Sequence, residues 1–178
     1  MFKISENIHL KEIKNTDSKT LFKLMKEIYP PAYKHFWTDN GEWYVNTQYS
    51  KENILEELSQ ENADYYFILF NNEIIGNFRI LWNETLEGLQ VEKQIKIHRI
   101  YLHKKIQGKG IGKKLLSWIE EKAIKKNYSV IWLDTMDKQP QAFQFYKKLG
   151  YKYHSHTFLS YKLLFEDVRK MSQVYKRI

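Results

Sequence analysis

The sequence predicts a mixed α/β fold in one domain that spans residues 1–178. Runs of strand-like composition alternate with runs whose apolar residues recur at helical spacing. A chain of 178 residues has the usual length of one domain, and no repeat or flexible linker divides it. Aromatic residues make up 16%, against seven Gly and three Pro, which excludes collagen-like repeats and argues against disorder.

The first third of the chain predicts one short strand and two helices. We expect the strand around Ile8–Ile13, with polar residues on either side. A helix should begin at Asp17 or Ser18 and end at the pair Pro30-Pro31, because proline disfavours helical geometry in the residue before it. A second amphipathic helix follows over Asn53–Gln60, and the aromatic segment between the two helices is ambiguous.

The middle of the chain predicts a β-hairpin and a long strand. Tyr65–Phe70 and Ile74–Trp82 are rich in apolar and aromatic residues, and Asn71-Asn72 joins them. Asparagine tolerates the positive φ angles of a two-residue hairpin turn. After a polar loop, β-branched residues indicate a long strand over Val91–His103.

The last third alternates between helix and strand. A helix is expected over Gly110–Lys126 and a short buried strand over Val130–Leu133. Pro140 should start another helix and Gly150 should end it, since proline suits a first helical turn and glycine a helix C-terminus. Further strands are expected over Tyr151–Phe158 and Met171–Ile178.

Cysteine and membrane signals are missing from the sequence. No cysteine excludes disulfides, thiolate metal sites and a cysteinyl intermediate. The charged start, MFKISENIHLKEIK, does not have the apolar region of a signal peptide. The longest apolar run, Tyr65–Phe70, is far below the ~18 residues that cross a bilayer. We therefore expect a soluble, cytoplasmic protein without a membrane partner.

A glycine cluster, Gln107-Gly108-Lys109-Gly110-Ile111-Gly112, lies between a predicted strand and a predicted helix. Glycines let the backbone turn tightly and approach a ligand, and the first N–H groups of a helix attract anions. A pyrophosphate fits such a turn. The alternative is a simple helix-capping turn with solvated lysines. The lysines around it are Lys104, Lys105, Lys109, Lys113 and Lys114.

Two familiar phosphate loops do not match this cluster. A Walker A loop needs a glycine five residues before Gly-Lys and a Ser or Thr after it, whereas Gly112-Lys113 has Gln107 and Lys114 at these positions. A Rossmann fingerprint needs G-x-G-x-x-G, but its third glycine is absent whether the motif starts at Gly108 or Gly110.

The cluster has a different match. Gln107-x-x-Gly110-x-Gly112, preceded by the strand His98–Leu102, resembles the acetyl-CoA motif Q/R-x-x-G-x-G/A of the GNAT superfamily of N-acetyltransferases. The segment Ala142–Tyr151 is similar to the second signature of that family, A-x-x-x-Y-x-K-x-G-F/Y. The resemblance implies the GNAT acyl-CoA N-acyltransferase fold, a mixed, mostly antiparallel sheet whose central strands splay apart. It also implies transfer of an acetyl group from acetyl-CoA to a primary amine in a ternary complex.

The resemblance assigns residues to acetyl-CoA and needs no metal. The strand backbone would bind the thioester carbonyl and the pantetheine arm, and the glycine turn would bind the pyrophosphate. Gln139 stands where the family usually has Asn, which puts the geometry of its pantetheine contact in question. The assigned residues are Ile100, Tyr101, Leu102, Gln107, Gly108, Lys109, Gly110, Ile111, Gly112, Lys113, Gln139 and Tyr146.

Two catalytic residues follow from the same resemblance. Tyr146 matches the general acid that protonates the departing thiolate, and its alternative is a packed tyrosine. His98 is a candidate base, because its ordinary pKa is near 6.5, and the alternative is a packed histidine. His103 is expected at the surface. His154 and His156 would share one face of a strand, a pattern too sparse to predict a metal site.

The amine acceptor, a small molecule or a peptide, is poorly defined by the sequence. Tyr33 and Trp37 are the predicted substrate-binding residues, with Tyr29 and Trp43 in the same region. Aromatic rings and the acidic stretch Glu52–Glu61 would suit a cationic polyamine, whereas an aromatic core beside a solvated helix face is the blander interpretation. The resemblance makes a homodimer possible, since small enzymes of this type often dimerise, and leaves the oligomeric state open.

The charge distribution favours a phosphorylated cofactor over nucleic acid. The net charge is +8, and residues 91–126 contain eleven basic and three acidic residues. The rest of the chain is balanced, with 18 of each sign. A nucleic-acid-binding module and a non-catalytic sensor of CoA remain as alternatives. Lys122–Lys126 lie far from the glycine turn and are expected on a solvated surface.

Overall fold

The computed structural model describes all 178 residues and is built on one eight-stranded sheet. The strand order is β1-β2-β3-β4-β5-β6-β8-β7. The strands are β1 (Phe2–Lys3), β2 (Ile8–Glu12), β3 (Ala63–Phe70), β4 (Glu73–Trp82), β5 (Gln94–Leu102), β6 (Val130–Met136), β7 (Lys152–Phe158) and β8 (Lys170–Arg177). Neighbouring strands are antiparallel except β5 and β6, which are parallel. The predicted mixed, mostly antiparallel sheet is confirmed.

Five α-helices pack on the sheet. They are α1 (Ser18–Tyr33), α2 (Glu42–Gln48), α3 (Lys51–Leu58), α4 (Ile111–Lys125) and α5 (Pro140–Lys148). One apolar core lies between the sheet and α4 and α5, and a second lies between the sheet and α1 to α3. None of the five combines the length and hydropathy that a bilayer crossing requires.

The prediction that Pro30-Pro31 ends the first helix is wrong, since α1 continues to Tyr33. The prolines lie in its last turn, so few backbone hydrogen bonds are lost there. Packing holds the turn in place: the ring centroid of Tyr33 lies 6.0 Å from that of Tyr101 in β5, and Gln139 Nε2 donates to the carbonyl of Ala32 at 3.1 Å. These tertiary contacts outweigh the local preference of proline.

The hairpin between β3 and β4 is confirmed. Asn71 and Asn72 adopt φ angles of 50° and 65°, as a two-residue turn between antiparallel strands requires. The strand predicted over Val130–Leu133 is longer, because β6 pairs with β8 as far as Met136.

A β-bulge and a strand separation distinguish the centre of the sheet. Arg79 of β4 pairs with Arg99 and Ile80 pairs with Ile97, so His98 is the extra residue of a bulge. Beyond Ile97, β5 no longer pairs with β6, because the two strands are joined only over residues 94–97 and 130–133. The bulge changes which side chains face each core, and the separation opens a gap between the strands.

The expectation that Lys122 lies on a solvated surface is wrong. Its Nζ donates to the carboxylate of Asp64 at 2.9 Å and to the Tyr66 hydroxyl at 3.2 Å. It also lies 5.0 to 5.6 Å from the centroids of four aromatic rings, those of Phe2, Tyr66, Trp82 and Trp118. This lysine fastens α4 to the aromatic face of the sheet.

Candidate active site

A cavity of about 240 Å³ lies where β5 and β6 separate. One part of its lining comes from the core beneath α5, including Ile100, Ala142 and Tyr146. The other part, called here the aromatic side, comes from the core beneath α1 and α2. It comprises Tyr29, Tyr33, Trp37, Tyr44 and Tyr161. The cavity therefore connects the two faces of the sheet through the gap between its central strands.

The glycine turn of residues 107–112 presents free main-chain donors. The N–H groups of Gly108, Gly110, Ile111, Gly112 and Lys113 donate to no acceptor in the chain. The last four belong to the cap and first turn of α4, where the helix dipole adds positive potential. Such a set of donors fits a pyrophosphate, as the sequence predicts.

The three glycines of the turn serve two physical roles. Gly108 and Gly110 adopt φ angles of 79° and 72°, and a Cβ on either would meet no atom within 4 Å. Their requirement is therefore conformational, and the space beside them is open to a ligand. A Cβ on Gly112 would meet the ring of Phe145 at 3.2 Å, so this glycine allows α4 to approach α5.

The lysines around the turn differ in the contacts that their ammonium groups make. Lys105 pairs with Glu73 on the surface, and the Nζ of Lys109 lies 5.1 Å from the ring centroid of Phe70. Lys113 makes no ion pair or side-chain hydrogen bond. Of these three lysines, Lys113 is the one whose charge no other group of the chain engages.

The main chain of β5 offers alternate residues to the gap. His103 N–H donates to the carbonyl of Ile75, just before Gly76 of β4, at 2.8 Å. Because successive residues of a strand direct their polar groups to opposite sides, Tyr101 also faces β4, whereas Ile100 and Leu102 face the gap. The prediction that the main chain of Tyr101 contacts the cofactor does not fit this geometry. Tyr101 lines the cavity through its side chain, and its hydroxyl lies 3.1 Å from that of Tyr44.

Tyr146 of α5 is buried, and its hydroxyl makes no hydrogen bond with the rest of the chain. Burial raises the pKa of its phenol well above the ordinary value, so the group keeps its proton at neutral pH. A protonated phenol beside the gap has the state that a proton donor needs.

Gln139 lies at the start of α5 and lines the same cavity. Its Nε2 donates to the carbonyl of Ala32 in α1 at 3.1 Å. The amide thus joins α5 to the end of α1, and its oxygen is the group left for a ligand.

His98 lines the cavity, but its environment opposes the predicted role as a base. Burial, followed by the charges of Arg99, Arg79 and Lys96, lowers its pKa to about 2. The guanidinium of Arg79 donates to Nδ1, which places the proton of the neutral ring on Nε2. Near neutral pH this histidine is a hydrogen-bond donor towards its surroundings and not a proton acceptor.

A buried charge network lies behind His98, and no motif in the sequence points to it. The side chains of Arg79 and Arg99 are 2% and 3% exposed, and both pair with the single carboxylate of Glu57. Arg79 also donates to Gln60, and Arg99 donates to the Tyr65 hydroxyl. The available signal was an arginine within each of two strands that are rich in apolar residues.

The aromatic side contains both predicted substrate-binding residues. Tyr33 and Trp37 line the cavity, and the ring of Tyr29 stacks on Tyr44 with centroids 4.4 Å apart. Burial raises the pKa of Tyr33 to about 12, so this tyrosine is neutral at physiological pH. The acidic stretch of α3 does not contribute, because Glu57 is bound to the arginines and its neighbours Glu52 and Glu56 are exposed.

The remaining histidines lie elsewhere. His154 is the extra residue of a second bulge, so it does not share a regular face with His156. Its Nε2 contacts the carbonyl of Glu87, whereas His156 contacts the Tyr153 hydroxyl, each at 2.8 Å. His103 pairs with Glu27 near the surface.

A protein-family model and a known relative both match this chain. A family model described as "Acetyltransferase (GNAT) family" matches residues 22–151. The chain is 25% identical over 117 residues to an uncharacterized N-acetyltransferase in the pepI 3' region of Lactobacillus delbrueckii subsp. lactis. That alignment covers 65% of this chain and 68% of the relative.

Two solved structures illustrate the similarity of fold. The PaiA N-acetyltransferase from Thermoplasma acidophilum in complex with coenzyme A superposes with a TM-score of 0.73 at 20% identity. The superposition covers 96% of this chain and 99% of the PaiA chain. A mutant form of the spermidine N-acetyltransferase SpeG from Vibrio cholerae superposes with a TM-score of 0.65 at 14% identity, covering 97% and 95%.

Proposed function

The chain belongs to the acetyltransferase (GNAT) family, and from that premise we propose that it transfers the acetyl group of acetyl-CoA directly to a primary amine in a ternary complex. The observation that carries the proposal is that β5 borders the cavity in the gap and leads directly along the chain to the turn at residues 107–112. Free main-chain donors at the turn suit the pyrophosphate, and the cavity in the gap suits the reacting groups.

Acetyl-CoA supplies the activated acetyl thioester when it is bound. The N–H groups of Gly108, Gly110, Ile111, Gly112 and Lys113 would hold its phosphates through main-chain hydrogen bonds and the dipole of α4. The polar groups of Ile100 and Leu102 pair with the pantetheine arm and the thioester carbonyl, as an added strand would pair with β5. An N–H aimed at the carbonyl oxygen stabilises the negative charge that develops there during attack.

Tyr146 donates its proton, or a hydrogen bond, to the departing thiolate. Its buried phenol retains the proton at neutral pH and makes no competing hydrogen bond. A thiolate that leaves inside the protein, away from bulk water, needs such a donor more than it would in water.

The acceptor amine must enter as the neutral base, because His98 does not accept a proton near neutral pH. Asp134, the carboxylate in the cavity lining, pairs with Lys96 at 2.8 Å and receives a hydrogen bond from Gln173 at 3.2 Å. We assign no side chain as the base. Deprotonation of the amine therefore takes place in solvent or through water at the mouth of the cavity.

The acceptor is a small molecule or a peptide amine that reaches the thioester from the aromatic side. Neighbouring structures include a spermidine N-acetyltransferase and a plant Naa50 bound to a bisubstrate analogue of a peptide. This range of acceptors supports an amine and leaves its class to be decided by the residues of this chain.

The test is a panel of amines, amino acids, aminoglycosides and peptides, assayed by release of the CoA thiol and by mass spectrometry of the acetylated product. We expect amine-dependent thiol release above the rate of thioester hydrolysis. Stabilisation by acetyl-CoA in a thermal melt without thiol release for any amine would contradict the proposal and indicate a sensor of CoA. Salt-dependent binding of DNA or RNA without affinity for CoA would indicate a nucleic-acid-binding module.

A further inference from the structure

We propose that the acceptor amine also carries a carboxylate, which binds to Arg99 and Gln48 on the aromatic side of the cavity. This inference rests on the proposed acetyl transfer and specifies its substrate class. It excludes polyamines as preferred acceptors, although a polyamine acetyltransferase shares the fold.

The first argument is an uncompensated buried charge. Arg79 and Arg99 share one carboxylate: Arg99 contacts Glu57 directly, and the Nη1 of Arg79 lies 3.8 Å from Glu57 Oε1. His98 beside them is neutral. Two guanidinium groups against one carboxylate leave one net positive charge in a region almost closed to solvent, which is costly unless an anion joins it.

The second argument is that the surplus charge reaches the cavity. Arg99 and Gln48 both line it. The Nη2 of Arg99 has one side-chain partner, Gln48 Oε1, at 3.5 Å, the limit of a hydrogen bond. The guanidinium edge next to Gln48 is therefore available to a planar carboxylate, which arginine binds through two parallel hydrogen bonds.

The third argument is the absence of a free carboxylate that could pair with a second ammonium group. The lining contains one carboxylate, Asp134, and that group is paired with Lys96. Glu57 is turned to the arginines, and Glu52 and Glu56 of α3 are exposed. A polyamine would thus bring positive charge to a lining that is already positive, at a cost that an acceptor with a negative group avoids.

The experiment compares acceptors that differ in one group. Phenylalanine and phenylalaninamide share a ring and an amine, β-alanine and β-alaninamide share an aliphatic chain, and spermidine supplies the polyamine. Rates of thiol release are divided by the fraction of neutral amine, since an amide lowers the pKa of its α-amine. We expect kcat/KM to be roughly tenfold or more higher for each carboxylate than for its amide, and lowest for spermidine.

Introducing a negative charge at Gln48 provides the variant test. In Gln48→Glu a carboxylate of the same length is placed beside Arg99 and should take the position of the acceptor's carboxylate. We expect the preference for the carboxylate over the amide to disappear, mainly through KM. Gln48→Met, which keeps the length without charge, should weaken the preference less than Gln48→Glu does, because Arg99 still binds the carboxylate. Circular dichroism and thermal melts of both variants establish that they fold.

The outcomes separate the two proposals. If no amine supports thiol release, the proposed function itself fails. If amines react but the amides equal the carboxylates, or spermidine is best, only the carboxylate inference is overturned. Phosphoethanolamine is also tested as an acceptor. A higher rate with it than with β-alanine would overturn the carboxylate inference and indicate a phosphate on the acceptor.

Discussion

The turn at residues 107–112 and the aromatic side of the cavity are constructed in opposite ways. The turn is continuous in sequence and offers main-chain N–H groups, so its chemistry depends on backbone conformation. The aromatic side consists of side chains that are far apart in the sequence, such as Tyr29 and Tyr161. A buried network of two arginines and Glu57 lies behind it. A site made from the main chain is sensitive to φ angles, whereas a site made from side chains is sensitive to charge and packing.

The largest expected effect is a loss of unfolding free energy when the charge network behind the aromatic side is broken. Glu57→Gln leaves both arginines without their carboxylate, and breaking a buried pair in this way costs about 3–5 kcal/mol of unfolding free energy. Denaturant unfolding measures it. The matched control is Glu56→Gln at the exposed neighbouring position, which should change stability by about 0.5 kcal/mol or less. Equal stability of the two variants would show that the arginines do not depend on Glu57.

The affinity of the turn for CoA should fall when a negative side chain is placed at Gly110. Gly110→Asp adds a carboxylate where the pyrophosphate is proposed to bind, at a residue with φ of 72°. We expect the Kd for CoA to rise by about 100-fold, since like charges about 4 Å apart near a surface repel by a few kcal/mol. Isothermal titration calorimetry measures this. Gly88→Asp is the control, because Gly88 has a similar φ of 77° beside His154 and away from the turn. Unchanged affinity in Gly110→Asp would place the phosphates elsewhere.

A smaller effect is expected where the two regions meet. Tyr146→Phe removes the proposed proton donor and should lower kcat by about 100-fold or less, with little change in the KM for acetyl-CoA. The control is Tyr151→Phe: this buried tyrosine packs 5.7 Å from Tyr146 between ring centroids but does not line the cavity. The measurement needs an acceptor for which chemistry limits turnover. A normal rate in Tyr146→Phe would remove it from the reaction.

The smallest effect concerns His98 and is read from a pH profile. Because its pKa is lowered to about 2, its charge does not change between pH 5 and 9. kcat/KM should therefore rise about tenfold per pH unit up to the pKa of the acceptor amine. Two acceptors of different pKa should give different inflections, both retained in His98→Gln. A common inflection near pH 6.5 that vanishes in this variant would restore His98 as the base.

Stability has a related dependence on pH. The unfolded chain would protonate His98 near pH 6.5, whereas the folded chain resists protonation to about pH 2. The unfolded state thus binds more protons below pH 6.5, and the contribution of His98 to stability is present above that pH and lost as the pH falls. The profile in His98→Gln should be flatter between pH 4 and 6.5.

Local patterns in the sequence were sufficient to predict the sheet and most helices, and they also carry the proposed cofactor half of the site. The asparagine turn, the glycines with positive φ and the Pro140–Gly150 boundaries of α5 depend on backbone preferences of single residues. The wrong end of α1 and the surface expected for Lys122 show where such preferences fail. In each case contacts with residues distant in sequence decided the outcome: Tyr101 and Gln139 contact the end of α1, and Asp64 pairs with Lys122.

The acceptor half of the site required the tertiary structure. The amino-acid order determined that a glycine turn would precede a helix and that Tyr146 would follow in the second signature, because these features lie within short segments. It did not determine the bulge at His98, the partners of Arg79 and Arg99, or the removal of Glu57 from the lining. Those depend on which strands and helices pack together, and burial then shifts the pKa of His98 and leaves a positive charge beside the cavity.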